Sequence, residues 1–143
     1  MPDHCFTYGS LMCEDIMGAV CGTAPLTPVP ARLAGFRRSP VLGADYPGMV
    51  PAAGSVVEGL LYLGLPASAW PRLDAFEGDE YRRSEVEVEL PDGRRLKAWT
   101  YVFKPEYAAR LGEGEWDFAR FLETGKARFE AQYLGFEVIG RER

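Results

Sequence analysis

Apolar and polar positions along the chain change their period several times, and each change marks an element. An apolar run over residues 4–8 stops at Gly9-Ser10, which predicts a short strand ending in a sharp bend. A short helical stretch is expected from about residue 12 to residue 20. Pro25, Pro28 and Pro30 punctuate the next segment, and helices tolerate such proline density badly, so a strand is predicted over residues 31–37. Residues 45–54, DYPGMVPAAG, read as a loop around a short extended piece. The following SVVEGLLYLG, residues 55–64, is apolar on both faces and suits a buried strand.

From residue 67 the period lengthens. ASAWPRLDAFEG, residues 67–78, reads as a short helix, with Ser68 as candidate N-cap, Pro71 in the first turn and Gly78 closing it. YRRSEVEVEL then alternates strictly, with Val86, Val88 and Leu90 on one face and Glu85, Glu87 and Glu89 on the other. Pro91-Asp92-Gly93 forms a turn, and LKAWTYVF, residues 96–103, returns as the partner strand of a hairpin. Trp99, Tyr101 and Phe103 lie on one side of that strand and Leu96, Ala98 and Val102 on the other, so it is expected inside a sheet or in a barrel wall. The last element is a helix over residues 115–133, with Trp116, Phe118, Phe121, Leu122, Phe129 and Tyr133 near a 3.6 period and an end before Gly135. Its aromatic stripe either packs on the domain's own sheet or serves as a lid or partner surface. About five or six strands and three helices in mixed order predict an α+β fold, a small closed or nearly closed barrel flanked by helices.

Composition narrows the partners. The 143 residues suit one domain over 1–143, large enough to bury a core without disulfides or metal. A net charge of −5, with basic residues clustered only as the pairs Arg37-Arg38, Arg82-Arg83 and Arg94-Arg95, argues against nucleic acid. No apolar run approaches the ~18 residues of a membrane span, and MPDHCFTYGS does not resemble a secretory signal, so the expected location is the cytoplasm. Three cysteines (Cys5, Cys13, Cys21) and the single His4 are too few and wrongly spaced for a zinc site. They read as free thiols, and the alternative of a Cys–His nucleophilic pair is weakened because His4 and Cys5, adjacent on a strand, point to opposite faces.

Two features carry candidate chemistry. On the helix of residues 67–78, Trp70, Leu73 and Glu77 share one stripe, so a carboxylate points along the face that should be buried. Burial and the negative end of the helix dipole would both raise its pKa, which suits proton transfer near neutral pH. The alternative is a helix that frays early and leaves Glu77 in solvent. The second feature is Tyr8-Gly9-Ser10-Leu11. It is either a turn beside a packed tyrosine or a curl of backbone N–H groups that holds a carboxylate or a developing oxyanion. It lacks the lysine and second glycine of a phosphate loop.

Taken in order, FTYGSLM, DYPGMVP and LDAFEGDEYRR resemble the γ-glutamylcyclotransferase-like superfamily, and within it the avirulence-induced-gene-like branch of bacteria and plants. The resemblance runs from about Phe6 to Phe103. It implies a small mixed β-barrel with flanking helices. It further implies Tyr8, Gly9, Ser10 and Leu11 as the binding loop, Glu77 as the acid/base, and Tyr81 as a lining residue of the same cavity. The activity implied is cyclisation of a small γ-glutamyl metabolite to 5-oxoproline with release of an amine, using no cofactor and no metal. That chemistry agrees with the residues, because the substrate's own α-amine is the nucleophile. The segment MCEDIMGAVCG after Leu11 departs from the branches acting on glutathione or γ-glutamyl-lysine. A catalytically inactive binding module using the same cavity, and a thiol hydrolase using Cys5 or Cys13, are the rival functions.

Overall fold

A computed structural model describes residues 3–22 and 27–131. Five strands close into a barrel: β1 (Cys5–Thr7), β2 (Val29–Pro40), β3 (Pro47–Tyr62), β4 (Tyr81–Glu89) and β5 (Arg95–Phe103), ordered β1-β3-β2-β4-β5. Four pairings are antiparallel. The barrel closes where β1 meets β5 in parallel, with Cys5 opposite Trp99. The fold is therefore the mixed barrel flanked by helices that the patterning implied.

Alternation along the strands sorts side chains into two cores. Phe6, Leu33, Met49, Val88 and Ala98, drawn from all five strands, fill the barrel. On the other side of β1, β3 and β5, residues such as Cys5, Tyr62 and Phe103 pack beneath the helices. Strand β5 needs apolar residues on both faces because it divides these cores: Ala98 and Thr100 are fully buried on one side, Phe103 on the other. The glutamates of β4 take the solvent side, where Glu85 and Glu87 stand 3.9 and 3.8 Å from Lys97 and Arg95 of β5.

Two helices are laid over the barrel and against each other, α1 (Glu14–Cys21) and α2 (Ala69–Glu77). Trp70 and Leu73 of α2 are buried, and Gly78 closes the helix at φ 79°, its N–H bonding the Asp74 carbonyl. Ser68 occupies the N-cap position, but its side chain caps nothing.

Three expectations need correction. Residues 47–54 are not a loop but the first half of β3, paired with β2 from Pro40↔Pro47 onward. The ladder shifts register between Ala34 and Phe36, and Gly35 and Gly54 sit at the shift with φ of 84° and 82°. These glycines mark a bend inside a long hairpin, whereas in sequence they look like its end. For the same reason β2 runs on past residue 37. The helix expected from residue 115 begins only at Phe118, where Asp117 accepts the Arg120 N–H, and is broken into α3 (Phe118–Arg120), a π-helical turn (Phe121–Gly125) and α4 (Lys126–Phe129). Phe121 and Phe129 are buried, whereas Leu122 is exposed. Tyr133 and Gly135 lie outside the described residues.

Candidate active site

Where β1 ends, the chain turns at once into a 3₁₀ turn, Ser10–Met12, closed by Met12 N–H to the Gly9 carbonyl and Cys13 N–H to the Ser10 carbonyl, both 3.0 Å. Tyr62 Oη donates to the Leu11 carbonyl at 2.9 Å, and Arg38 donates to the Tyr8 carbonyl at 2.9 Å, so the turn is held from two sides. The N–H groups of Gly9, Ser10 and Leu11 have no hydrogen-bond partner among the described residues. Gly9 is required for a reason the sequence does not reveal. Its φ is −136°, and a Cβ there would sit 2.9 Å from Cδ of Pro47. Close approach of the β3 start, rather than a left-handed backbone, excludes a side chain.

Glu77 ends α2 one turn beyond Leu73, on the stripe that the helix buries. Together with Tyr8, Gly9, Ser10, Leu11 and Tyr81 it lines one cavity of about 260 Å³. Its carboxyl makes no hydrogen bond or ion pair among the described residues. The residue is half-buried because it opens on the cavity, yet loss of bulk water around the carboxyl pushes its pKa up to about 8. The neighbouring hydroxyls register the proximity. Tyr8 and Tyr81 are raised well above the ordinary tyrosine range, first by burial and then by charges that include Glu77. Tyr8 Oη donates to the Tyr101 carbonyl, and Tyr81 Oη donates to the Pro47 carbonyl at 2.7 Å. These hydroxyls are committed to the scaffold, whereas the Glu77 carboxyl has no hydrogen bond or ion pair among the described residues.

A sequence model of the AIG2-like γ-glutamyl cyclotransferases matches residues 5–118. The chain belongs to this family. It is 36% identical over 120 residues to AIG2-like protein D of Arabidopsis thaliana, covering 82% of this chain and 78% of that one. An Arabidopsis thaliana protein solved in solution superposes with a TM-score of 0.66 at 29% identity, over 91% of this chain and 87% of that one. A solved γ-glutamyl cyclotransferase shares the fold at a TM-score of 0.63, with 19% identity over 75% and 74% of the two chains.

Several lining residues of this AIG2-like cavity were not singled out from sequence: Tyr46, Pro47, Phe76, Glu80, Tyr101 and Phe129. Tyr46 and Pro47 belong to DYPGMVP, a motif that carried the resemblance without an assigned role. Pro47 turns out to be the junction, touching Gly9 and accepting from Tyr81. Phe129 meets Phe76 edge-on at 5.8 Å and lines the cavity, and with Phe121 it joins the core cluster beneath the helices. The cysteines stand apart from this chemistry. All three are buried and free, and burial raises Cys13 and Cys21 to about 11 and lifts Cys5 well above the ordinary thiol range, which suppresses thiolate. His4 is engaged elsewhere, its Nδ1 accepting the Gly64 N–H at 3.1 Å. Among the described residues no group of three or more His, Cys, Asp or Glu side chains could hold a metal ion, and no helix is long and apolar enough to cross a membrane.

Proposed function

We propose that this protein cyclises a γ-glutamyl amide to 5-oxoproline and releases the amine. The observation that carries the reading is a carboxyl with a pKa of about 8 sharing one cavity with three backbone N–H groups, all of them without a hydrogen-bond partner among the described residues. The substrate brings its own nucleophile. Its α-nitrogen attacks the γ-carbonyl carbon, the ring C–N bond forms, and the amide C–N bond to the leaving amine breaks. Folding the γ-glutamyl chain so that these atoms meet is catalysis by proximity.

Glu77 carries the proton between the two nitrogens. As carboxylate it takes a proton from the α-ammonium, whose reference pKa is about 8, so the transfer is nearly balanced. As carboxylic acid it returns that proton to the departing nitrogen, and the second proton that the α-nitrogen sheds as the ring amide forms follows the same route, so the amine leaves as its ammonium. The amides of Gly9, Ser10 and Leu11 hold the substrate carboxylate or the tetrahedral oxyanion, a role worth about 10²–10³ in kcat per donor in comparable sites. Tyr8 and Tyr81 shape the wall.

The test is Glu77→Gln against the parent on a set of γ-glutamyl amides, with 5-oxoproline as readout. The parent is expected to turn over at least one of them and the variant to lose about 10²–10⁴-fold, the usual value of a positioned acid/base. A parent that binds γ-glutamyl conjugates and forms no 5-oxoproline is instead a binding module.

A further inference from the structure

We propose, building on the cyclotransferase reading, that the site selects γ-glutamyl conjugates of aromatic amines that carry no carboxylate. The cavity lining mixes two chemistries. It includes the backbone amides of residues 9–11 and the Glu77 carboxyl, and it includes rings: Phe129 lies edge-on to Phe76 at 5.8 Å and to Tyr46 at 6.3 Å. With the α-carboxylate or the oxyanion of the γ-glutamyl group on the amides, the leaving amine is the part of the substrate left for the rings.

The ionisable side chains of the lining are acidic. Asp79 and Glu80 follow α2 and line the cavity with Glu77, and among the described lining residues there is no Lys, Arg or His. The cations nearby are already engaged: Arg110 holds Glu80 at 2.6 Å, which also accepts from Tyr46 Oη, and Arg38 serves the Tyr8 carbonyl and Glu115. A leaving amine with its own carboxylate would bring a second anion among rings and acids, losing hydration with no counter-charge to replace it. A flat apolar amine loses little hydration there and gains edge and face contacts with three rings.

The experiment compares γ-glutamyl-phenethylamide with γ-glutamyl-phenylalanine, which differs only by the added carboxylate, and with γ-glutamyl-methylamide, which lacks the ring. Dissociation constants are measured by calorimetry on the full chain, and turnover by 5-oxoproline release. The phenethylamide is expected to bind at least about tenfold more tightly than either control. Phe76→Ala should erase most of its advantage over the methylamide, and Asp79→Lys should narrow the gap to γ-glutamyl-phenylalanine. Equal or tighter binding of the phenylalanine conjugate, equal binding of the methylamide, or no binding of any conjugate overturns the proposal. Ordered binding without 5-oxoproline supports it while removing the catalytic reading on which it was built, so the two failures are told apart.

Discussion

Replacing Glu77 by Gln should stabilise the protein, and more so as the pH rises. In the folded state the carboxyl titrates at about 8 instead of 4.5, because burial withholds water from its charge. A group whose folded pKa is raised binds its proton more tightly folded than unfolded, so stability is greatest below the unfolded pKa and is lost as pH climbs through the folded one. At about 1.36 kcal/mol per pH unit, the loss between about pH 5 and pH 9 has an upper bound of roughly 4 kcal/mol, and is about 2 kcal/mol once cavity water is allowed for. Glutamine is nearly isosteric and never charges, so its variant escapes this loss. Urea unfolding of parent and variant at both pH values isolates the effect, since every other titrating group is common to the two proteins. The stability gap should grow in favour of Glu77→Gln by about 2–4 kcal/mol from the lower to the higher pH. A gap that changes by less than about 0.5 kcal/mol would mean that the carboxyl is solvated and the proposed proton carrier is an ordinary glutamate.

The same carboxyl should shape the rate: kcat/KM is expected to fall about tenfold per pH unit below a midpoint near 8, and an acid limb centred near the ordinary glutamate pKa would refute the assignment. Gly9→Ala would drive a Cβ to 2.9 Å from Pro47, costing about 1–3 kcal/mol and displacing the amides, to be read as a lowered Tm with reduced turnover. Unchanged values of both would show that the turn has room. Cys13→Ser should keep full activity, and the native thiols, whose pKa values burial raises to about 11 for Cys13 and Cys21 and well above the ordinary thiol range for Cys5, should react with a disulfide reagent far more slowly than in the unfolded chain. Activity lost with Cys13 would revive thiol catalysis.

Much of the architecture was legible because it is written in local periods. Strict alternation from Glu85 to Leu90, the turn at Asp92-Gly93 and the two-sided strand after it specify a hairpin with little help from the rest of the fold. The i, i+3, i+7 placement of Trp70, Leu73 and Glu77 likewise announces an acid on a buried stripe, since helical geometry alone puts them in line. The sequence read less well at Gly35 and Gly54, where the signal for a chain end and the signal for a bend are the same residue type. Only barrel closure distinguished them.

The site divides along the same line. Residue types, an acid near a helix end and a Gly-Ser break after a strand, were set by the chain itself. What tertiary structure decided is their company: Pro47 against Gly9, Tyr81 donating to Pro47, and Phe129 brought back over Phe76. The position of the Glu77 titration belongs there too. A pKa shift by desolvation depends on how much water distant segments exclude, and no spacing within one helix encodes that.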